Sequence, residues 1–146
     1  MPRAKVLLAD DEAHVRLILA RRFEAMGCDV RMASDGEQAL AMSRESAPDL
    51  VITDVQMPHM SGVEFATALR QIEACRDIPI LMLTARNYIV GDEELARARI
   101  AHVLTKPFSI RKVVDLSASL LPHASTGITF RDTDADGGLT SRGVAA

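Results

Sequence analysis

Short runs of aliphatic and β-branched residues alternate along this chain with segments whose apolar residues recur at helical spacing. The runs predict strands at residues 5–10, 29–33, 50–54, 80–84 and 102–105. Strands that alternate with helical segments are typical of a parallel sheet with crossover helices. The runs at 5–10, 50–54 and 80–84 are apolar without alternation, as in strands covered by helices on both faces, so we expect them at the sheet centre.

Helical segments follow the predicted strands in turn. The first ends at Gly27, and one apolar stripe along it is formed by Val15, Ile18, Leu19, Phe23 and Met26. The fourth, at about residues 92–99, is weaker because it is rich in charge and Ala. The fifth begins at Ser109, and its apolar face carries Ile110, Val113, Val114, Ser117, Leu120 and Leu121.

The second and third helices are each predicted to open with a capping box, in which a hydroxyl and a carboxylate three residues later accept hydrogen bonds from free backbone N–H groups. The pairs are Ser34 with Glu37 and Ser61 with Glu64. The third helix is predicted to continue as a buried stripe of Phe65, Leu69 and Ile72.

The predicted βα units are complete at Leu121. The remaining residues, 122–146, are rich in Gly, and their only large aliphatic or aromatic residues are Ile128, Phe130, Leu139 and Val144. Such a segment has too little apolar surface to form a core. We therefore predict one domain over residues 1–121 and a disordered tail over residues 122–146.

The charge composition argues against nucleic acid and membranes as partners. Lys and Arg number 17 against 20 Asp and Glu, the formal net charge is −3, and the signs are interspersed. Nucleic acid and anionic membranes require a clustered basic surface, so neither is expected as a partner. Apolar runs never approach the roughly 20 residues that cross a bilayer, and residues 1–5 lead into a strand without an apolar signal segment, so we expect a cytoplasmic protein.

The two cysteines, Cys28 and Cys75, are far apart and have no metal-ligand partner at short spacing. This pattern disfavours a disulfide framework and a zinc site. We expect both to be buried or partly buried thiols.

Polar residues stand where the predicted strands end. Asp10 and Asp11 follow the first strand, and the ends of the later strands carry Asp54, Thr84 and Lys106. In an open α/β sheet these ends border the functional crevice. A dinucleotide-binding fold would have G-x-G-x-x-G after its first strand, whereas this chain has A-D-D-E, so the crevice should attract a cation instead of a phosphate group.

Three carboxylates at one edge repel one another unless a cation neutralises them, and oxygen ligands suit Mg²⁺ or Mn²⁺. A carboxylate at such a site can attack a phosphoryl group while the metal and a lysine ammonium absorb charge on the transferred oxygens. Asp54 is the best candidate nucleophile, because a sharp Met57-Pro58 turn follows its strand and should leave the carboxylate exposed. Lys106 is its cationic partner, and the Thr84 hydroxyl could bond a phosphoryl oxygen.

Taken singly, each of these residues is an ordinary turn former or surface lysine. Together they resemble the receiver domain of two-component response regulators, in particular the stand-alone, chemotaxis-regulator-like type. The resemblance covers about residues 4–121 and lies in Asp10-Asp11, Asp54-x-x-Met57-Pro58, Ser61-Gly62, Thr84-Ala85 and Lys106-Pro107-Phe108. It implies a doubly wound, flavodoxin-like (βα)5 fold with strand order 2-1-3-4-5.

The resemblance also implies roles for individual residues. Asp54 would accept a phosphoryl group from the phosphohistidine of a sensor histidine kinase or a phosphotransfer protein. Mg²⁺ would be held by Asp11, Asp54 and the backbone carbonyl of Gln56, with Asp10 acting through water. The Lys106-Pro107 bond would be cis, and phosphorylation would pull Thr84 toward the phosphoryl group.

One position departs from the family pattern. The residue three before the lysine is usually Tyr or Phe, whose ring changes rotamer as the threonine moves, and here it is Val103. A β-branched side chain has a stiff χ1 and no ring, so we expect this switch position to work mainly through backbone movement of residues 84–91. Gln56 and Arg86, each two residues beyond a site residue, are expected to modulate dephosphorylation.

We therefore expect a single-domain response regulator that is not an enzyme, acts as a monomer or weak homodimer, and signals to a downstream protein by phosphorylation-dependent contact. One alternative is a receiver fragment or scaffold of a longer regulator. Another is a metal-dependent phosphatase with an aspartyl nucleophile, similar to haloacid-dehalogenase-like enzymes. Those have a second acid two residues after the nucleophile, and Gln56 in that place argues against turnover of external substrates.

Overall fold

The computed structural model describes residues 3–85 and 88–121. It contains a parallel sheet of five strands in the order β2-β1-β3-β4-β5, which confirms the predicted fold class. The strands are β1 (Lys5–Ala9), β2 (Asp29–Ala33), β3 (Leu50–Asp54), β4 (Ile80–Thr84) and β5 (His102–Thr105). The helices are α1 (Ala13–Ala25), α2 (Gly36–Glu45), α3 (Gly62–Leu69), α4 (Asp92–Ala98) and α5 (Ile110–Leu120), with a short 3₁₀ helix at Glu73–Cys75.

The sheet separates two apolar layers, because successive side chains of a strand point to opposite faces. Leu7 and Val51 pack with residues of α2, α3 and α4 on one face, whereas Leu8 and Ile52 pack with α1 and α5 on the other. Every residue of β3 and β4 is buried, as is all of β1 except its first residue. The expectation that these three strands form the centre is confirmed.

Helix α1 ends as its sequence predicts. Gly27 has a φ of 91°, the left-handed conformation that favours glycine. The N–H of Gly27 donates to the carbonyl of Glu24 at 3.0 Å, and the N–H of Cys28 donates to that of Phe23 at 3.0 Å, which together form a Schellman motif. The predicted apolar stripe is wrong at Ile18, which is 49% exposed.

Helix α2 does not begin with the predicted Ser34–Glu37 capping box. Its N-cap is Asp35, whose side chain accepts from the backbone N–H of Gln38 at 2.8 Å. The Gln38 side-chain oxygen accepts in turn from the N–H of Ser34 at 2.7 Å. The start therefore lies one residue later than predicted, because Asp is as good an N-cap as Ser and Gln can replace Glu.

Helix α3 begins with the predicted capping box between Ser61 and Glu64. The predicted continuation to Ile72 is wrong, since the helix ends at Leu69 and Ile72 precedes the 3₁₀ helix instead. Ile72 still packs against the core, so its apolar character reflects burial and not membership of the helix.

Both cysteines are buried free thiols, as expected. None of the helices in the described ranges is long and apolar enough to cross a membrane. The predicted tail, residues 122–146, lies outside the described residues.

Replacing Ser117 by Ala is expected to stabilise the protein. Within residues 3–85 and 88–121, the Ser117 hydroxyl oxygen on α5 is the buried side-chain polar atom without a hydrogen-bond partner. Burying such a group costs about 1–3 kcal/mol, and Ala is the better helix former. We expect the free energy of unfolding, measured with urea, to rise by about 1 kcal/mol.

Ser119→Ala on the same helix is the matched control, because that hydroxyl is exposed and donates to the carbonyl of Leu116 at 2.7 Å. The control shares the gain in helix propensity and lacks the buried orphan group. Equal effects of the two substitutions would contradict the argument.

Candidate functional site

The carboxyl ends of the strands form an open depression at one edge of the sheet. Its wall combines the β1–α1 loop, the end of β3 and the segment after β5, with Asp11, Glu12, Asp54, Gln56, Ala85, Lys106 and Pro107 as lining residues. The predicted carboxylates and lysine are therefore brought together, although they come from separate strands.

The Lys106 ammonium lies among three carboxylates. Its Nζ is 3.1 Å from Glu12 Oε1 and 3.2 Å from Asp10 Oδ2. The distance to Asp54 Oδ1 is 3.6 Å. One cation thus faces several anions, and the site has an excess of negative charge.

Hydrogen bonds to backbone groups fix the conformation of the β1–α1 loop, which carries Asp10 and Glu12. Asp10 is buried, and its Oδ1 accepts from the backbone N–H of Glu12 at 2.9 Å. The Arg16 guanidinium donates to the carbonyl of Asp10 at 2.7 Å, so the first turn of α1 also supports the loop. Burial raises the pKa of the Asp10 carboxyl, against the Glu12 N–H and the Lys106 ammonium, which lower it.

Asp54 is more enclosed than its sequence position predicts. Its side chain is 8% exposed, whereas the turn after β3 predicts an exposed carboxylate. The reason is that it lines the floor of the depression, with Oδ1 accepting from the N–H of Val55 at 2.9 Å. Burial, together with the charge of Asp10, raises the pKa of Asp54 to about 6.

Lys106 is positioned by the end of β4. Its backbone N–H donates to the carbonyl of Thr84 at 2.7 Å. The Lys106-Pro107 bond is cis, as the family resemblance implies. Burial disfavours the ammonium, but the hydrogen bond to Glu12 and the charges of Asp10 and Asp54 outweigh it, so the pKa of Lys106 is raised.

Of the other predicted residues, Thr84 and Gln56 lie at this pocket. Thr84 is buried beside it, and its hydroxyl donates to the carbonyl of Ala85 at 3.4 Å, a weak contact. Gln56 is exposed at the rim. Val103 lies on β5 outside the depression and is 38% exposed, and Arg86 falls outside the described residues.

The carboxylates present fit a divalent cation. One oxygen from each of Asp10, Asp11 and Asp54 can be chosen so that all lie within 4.8 Å of one another. Hard cations such as Mg²⁺ take oxygen ligands at about 2.0–2.1 Å and commonly keep several waters, so a cluster of this width suits direct and water-mediated ligation of one ion. The raised pKa of Asp54 is consistent with this fit, because burial and the charge of Asp10 outweigh the Lys106 ammonium, and a bound cation would offset the remaining negative charge.

Two contacts were missed by sequence reasoning. Glu12 makes the shortest contact to the Lys106 ammonium, and Arg16 holds the Asp10 carbonyl. Glu12 stands directly after Asp11 in the acidic run, so its position alone was a usable signal. Arg16 looks like any solvated residue of a helix, and nothing in the sequence distinguishes it.

The fold and the pocket together define an α/β domain that carries a carboxylate-rich, lysine-containing site at the carboxyl edge of its sheet. The chain belongs to the response regulator receiver domain family, whose model matches residues 6–117. It is therefore a receiver domain of a response regulator in two-component signalling. Domains of this family bind Mg²⁺ at an acidic pocket and interact with histidine kinases or phosphotransfer proteins.

Similar proteins agree with this assignment. The alkaline phosphatase synthesis transcriptional regulatory protein PhoP of Bacillus subtilis is 40% identical over 114 residues, which cover 75% of this chain and 45% of PhoP. The phosphate regulon transcriptional regulatory protein PhoB of Pseudomonas aeruginosa is 36% identical over 126 residues, 84% of this chain and 53% of PhoB. The structure of the Vibrio cholerae chemotaxis protein CheY4 matches with a TM-score of 0.76 and 32% identity, over 82% of this chain and 100% of CheY4.

This chain therefore spans about half the length of the curated relatives it matches. Those relatives are transcriptional regulators by name, whereas CheY4 is matched along its whole length. The family membership concerns the receiver domain that all of them share.

Proposed function

We propose that this receiver domain accepts a phosphoryl group on Asp54 from the phosphohistidine of a sensor histidine kinase or a phosphotransfer protein. The observation that carries the proposal is the convergence of Asp54, the neighbouring acids and Lys106 at one strand edge. Of the carboxylates in the pocket, Asp54 ends the central strand β3 and lies both on the floor of the depression and within 3.6 Å of the lysine ammonium.

In this reaction an Asp54 carboxylate oxygen attacks phosphorus, the bond from phosphorus to the histidine nitrogen breaks, and its electron pair returns to the imidazole. Oδ1 already accepts from Val55 and faces Lys106, so we assign the attack to Oδ2. With a pKa of about 6, Asp54 is mostly ionised at neutral pH and able to act as a nucleophile.

Charge stabilisation comes from both sides of the transferred group. Asp11, Asp54 and the backbone carbonyl of Gln56 would hold Mg²⁺, with Asp10 acting through water, and the bound ion would supply positive charge to the phosphoryl oxygens. The Lys106 ammonium is already within reach of the Asp54 carboxylate and would donate to a phosphoryl oxygen. The Thr84 hydroxyl would give up its weak bond to the Ala85 carbonyl when it turns to the same group.

We propose that the phosphorylated state is read by contact with another protein surface, and that Gln56 and Arg86 modulate its lifetime. Val103 has no aromatic ring that could change rotamer when Thr84 moves. The conformational change would therefore reach the surface through the backbone of residues 84–91. Tyr88 and Ile89, which are 38% and 87% exposed, place apolar surface on this segment where a partner could contact it.

The test is to mix the protein with acetyl phosphate and Mg²⁺ and to measure its intact mass. We expect one phosphoryl group per chain, mapped to the peptide that contains Asp54, with none in Asp54→Asn and none when the metal is chelated. A wild-type protein that gains no phosphoryl group would overturn the proposal. So would an Asp54→Asn protein that gains one as readily as the wild type.

A further inference from the structure

Glu12 contacts the Lys106 ammonium more closely than Asp54 does. The distances from Nζ are 3.1 Å to Glu12, 3.2 Å to Asp10 and 3.6 Å to Asp54. The Glu12 side chain is 49% exposed, whereas those of Asp10 and Asp54 are 3% and 8% exposed. The lysine therefore bridges from the buried floor of the pocket to an acid at its rim.

The backbone of Glu12 is held in place on both sides. Its N–H donates to Asp10 Oδ1 at 2.9 Å, and its carbonyl accepts from Val15 and Arg16 at 3.1 and 3.2 Å. The side chain thus starts from a fixed point, and its exposed carboxylate can reach the lysine or turn into solvent. The Glu12 carboxylate can therefore hold the Lys106 ammonium and can also release it when another anion binds.

A lysine ammonium has three N–H donors, and here two of them are used by Glu12 and Asp10. A phosphoryl group on Asp54 would add oxygens on the side of the lysine that now has only the longest of its carboxylate contacts. These oxygens would attract the third N–H donor, and a shift of Nζ toward Asp54 would lengthen its bond to Glu12. The rim carboxylate and the phosphoryl group therefore compete for one cation.

We propose that Glu12 is a positioning residue, which holds the Lys106 ammonium at the rim of the site and competes with the incoming phosphoryl group for it. The inference rests on the proposed phosphorylation of Asp54 and assigns to this chain a residue that restrains the reaction. Glu12 acts through Lys106 and forms no bond to the phosphoryl group.

The first measurement is independent of phosphorylation. In the metal-free protein, nuclear magnetic relaxation of the Lys106 ammonium nitrogen should show an ordered group, and Glu12→Gln should lower that order. Glu37→Gln is the matched control, because Glu37 is an exposed acid in the first turn of α2 and does not line the pocket. An ammonium equally ordered in wild type and Glu12→Gln would overturn the inference, whatever acetyl phosphate does.

The second measurement is the rate of phosphoryl transfer from acetyl phosphate with Mg²⁺ present. Exposed ion pairs contribute about 0.2–1 kcal/mol, so Glu12→Gln should raise the rate about 1.4- to five-fold. Loss of a negative charge near an anionic donor would also raise the rate, so the substitution is repeated in a Lys106→Met protein. If Glu12 acts through the lysine, most of its effect disappears in that background.

The two failures are distinguishable. If the wild-type protein takes up no phosphoryl group, the proposed function is overturned. The relaxation measurement still decides whether Glu12 holds Lys106. A wild-type protein that is phosphorylated, with equal acceleration by Glu12→Gln in the presence and absence of the lysine, overturns the positioning role alone.

Discussion

Replacing Asp54 by Asn is expected to raise the free energy of unfolding of the metal-free protein by about 2–3 kcal/mol near neutral pH. Asp54 is buried beside Asp10, and its pKa is raised from 3.8 to about 6. A tenfold change in proton affinity between the folded and unfolded states corresponds to about 1.4 kcal/mol. Asn keeps the shape and removes the charge, but it also weakens a contact to Lys106, so the gain should fall somewhat below the full cost of burying the charge.

The effect depends on pH in a defined direction. The folded protein holds a proton on Asp54 at pH values where the unfolded chain has lost it, so wild-type stability falls as the pH rises from about 4 to about 6. Below this window the carboxyl is protonated in both states, and the charge penalty relieved by Asn is absent. Above it the full difference between the two proteins should be present and constant.

Urea unfolding in the presence of a chelator, repeated across this pH range, measures the difference. Asp115→Asn on α5 is the matched control, because Asp115 is exposed and the same substitution there should change little. Added Mg²⁺ should then stabilise the wild type more than Asp54→Asn, since binding to the folded state alone adds stability. An Asn variant that is less stable than wild type throughout the window would contradict the electrostatic argument.

Much of the fold was predictable from the sequence, because the central strands are buried on both faces. The strands β3 and β4 contain only apolar residues before their final polar positions, so neither their type nor their place at the centre was ambiguous. The stop of α1 was equally clear, since Gly27 takes a conformation that other residues rarely adopt. Where several independent signals agreed, the prediction was confirmed.

Predictions failed where one signal had two structural explanations. Ile18 fits the apolar spacing of α1 and is nevertheless exposed, because a stripe defined by spacing alone is wider than the face that the sheet covers. Ile72 also fits the spacing of α3, yet it lies in the turn after the helix and packs against the core from there. The start of α2 shifted by one residue because Ser34 and Asp35 are both good caps.

The residues that form the site could be predicted from the sequence, but the contacts between their side chains could be predicted only in part. That Asp10, Asp11, Asp54 and Lys106 share one edge follows from parallel strands ending together. Which carboxylate the lysine contacts most closely depends on side-chain reach across elements that are far apart in sequence. The contact between Glu12 and Lys106 therefore became visible only in the folded chain.

Replacing Gly62 by Ala is expected to destabilise the protein by about 3 kcal/mol or more, because the new methyl group would overlap backbone atoms. Gly62 is the first residue of α3, and its N–H donates to the carbonyl of Val55 at 2.8 Å, which draws the helix onto the end of β3. A Cβ at this position would overlap the Asp54 carbonyl oxygen and lie 2.9 Å from the Asp54 carbonyl carbon and 3.0 Å from Val55 Cα. Backbone on both sides leaves no flexible side chain to move aside.

Gly91→Ala is the matched control, because a Cβ there would lie 3.5 Å from Glu94 Oε1, an ordinary contact with a movable side chain. Gly91 also lies at the start of a helix, as the N-cap of α4, so the substitution is made in a similar setting. Urea unfolding of both variants should show a large loss for Gly62→Ala and a change of less than about 1 kcal/mol for Gly91→Ala. Comparable losses in the two variants would contradict the steric argument.

The same substitution should impair the site even in molecules that fold. The atom that the new methyl group displaces is the carbonyl of Asp54 itself, so relief of the overlap moves the residue that we propose as nucleophile. Misplacement of a reacting group by about 1 Å can cost on the order of 100-fold in rate. Phosphoryl uptake from acetyl phosphate, measured per folded molecule, should therefore fall at least about ten-fold in Gly62→Ala and stay near the wild-type rate in Gly91→Ala. Uptake at the wild-type rate by folded Gly62→Ala would show that Asp54 keeps its place, and that the close packing of α3 on β3 is needed for stability alone.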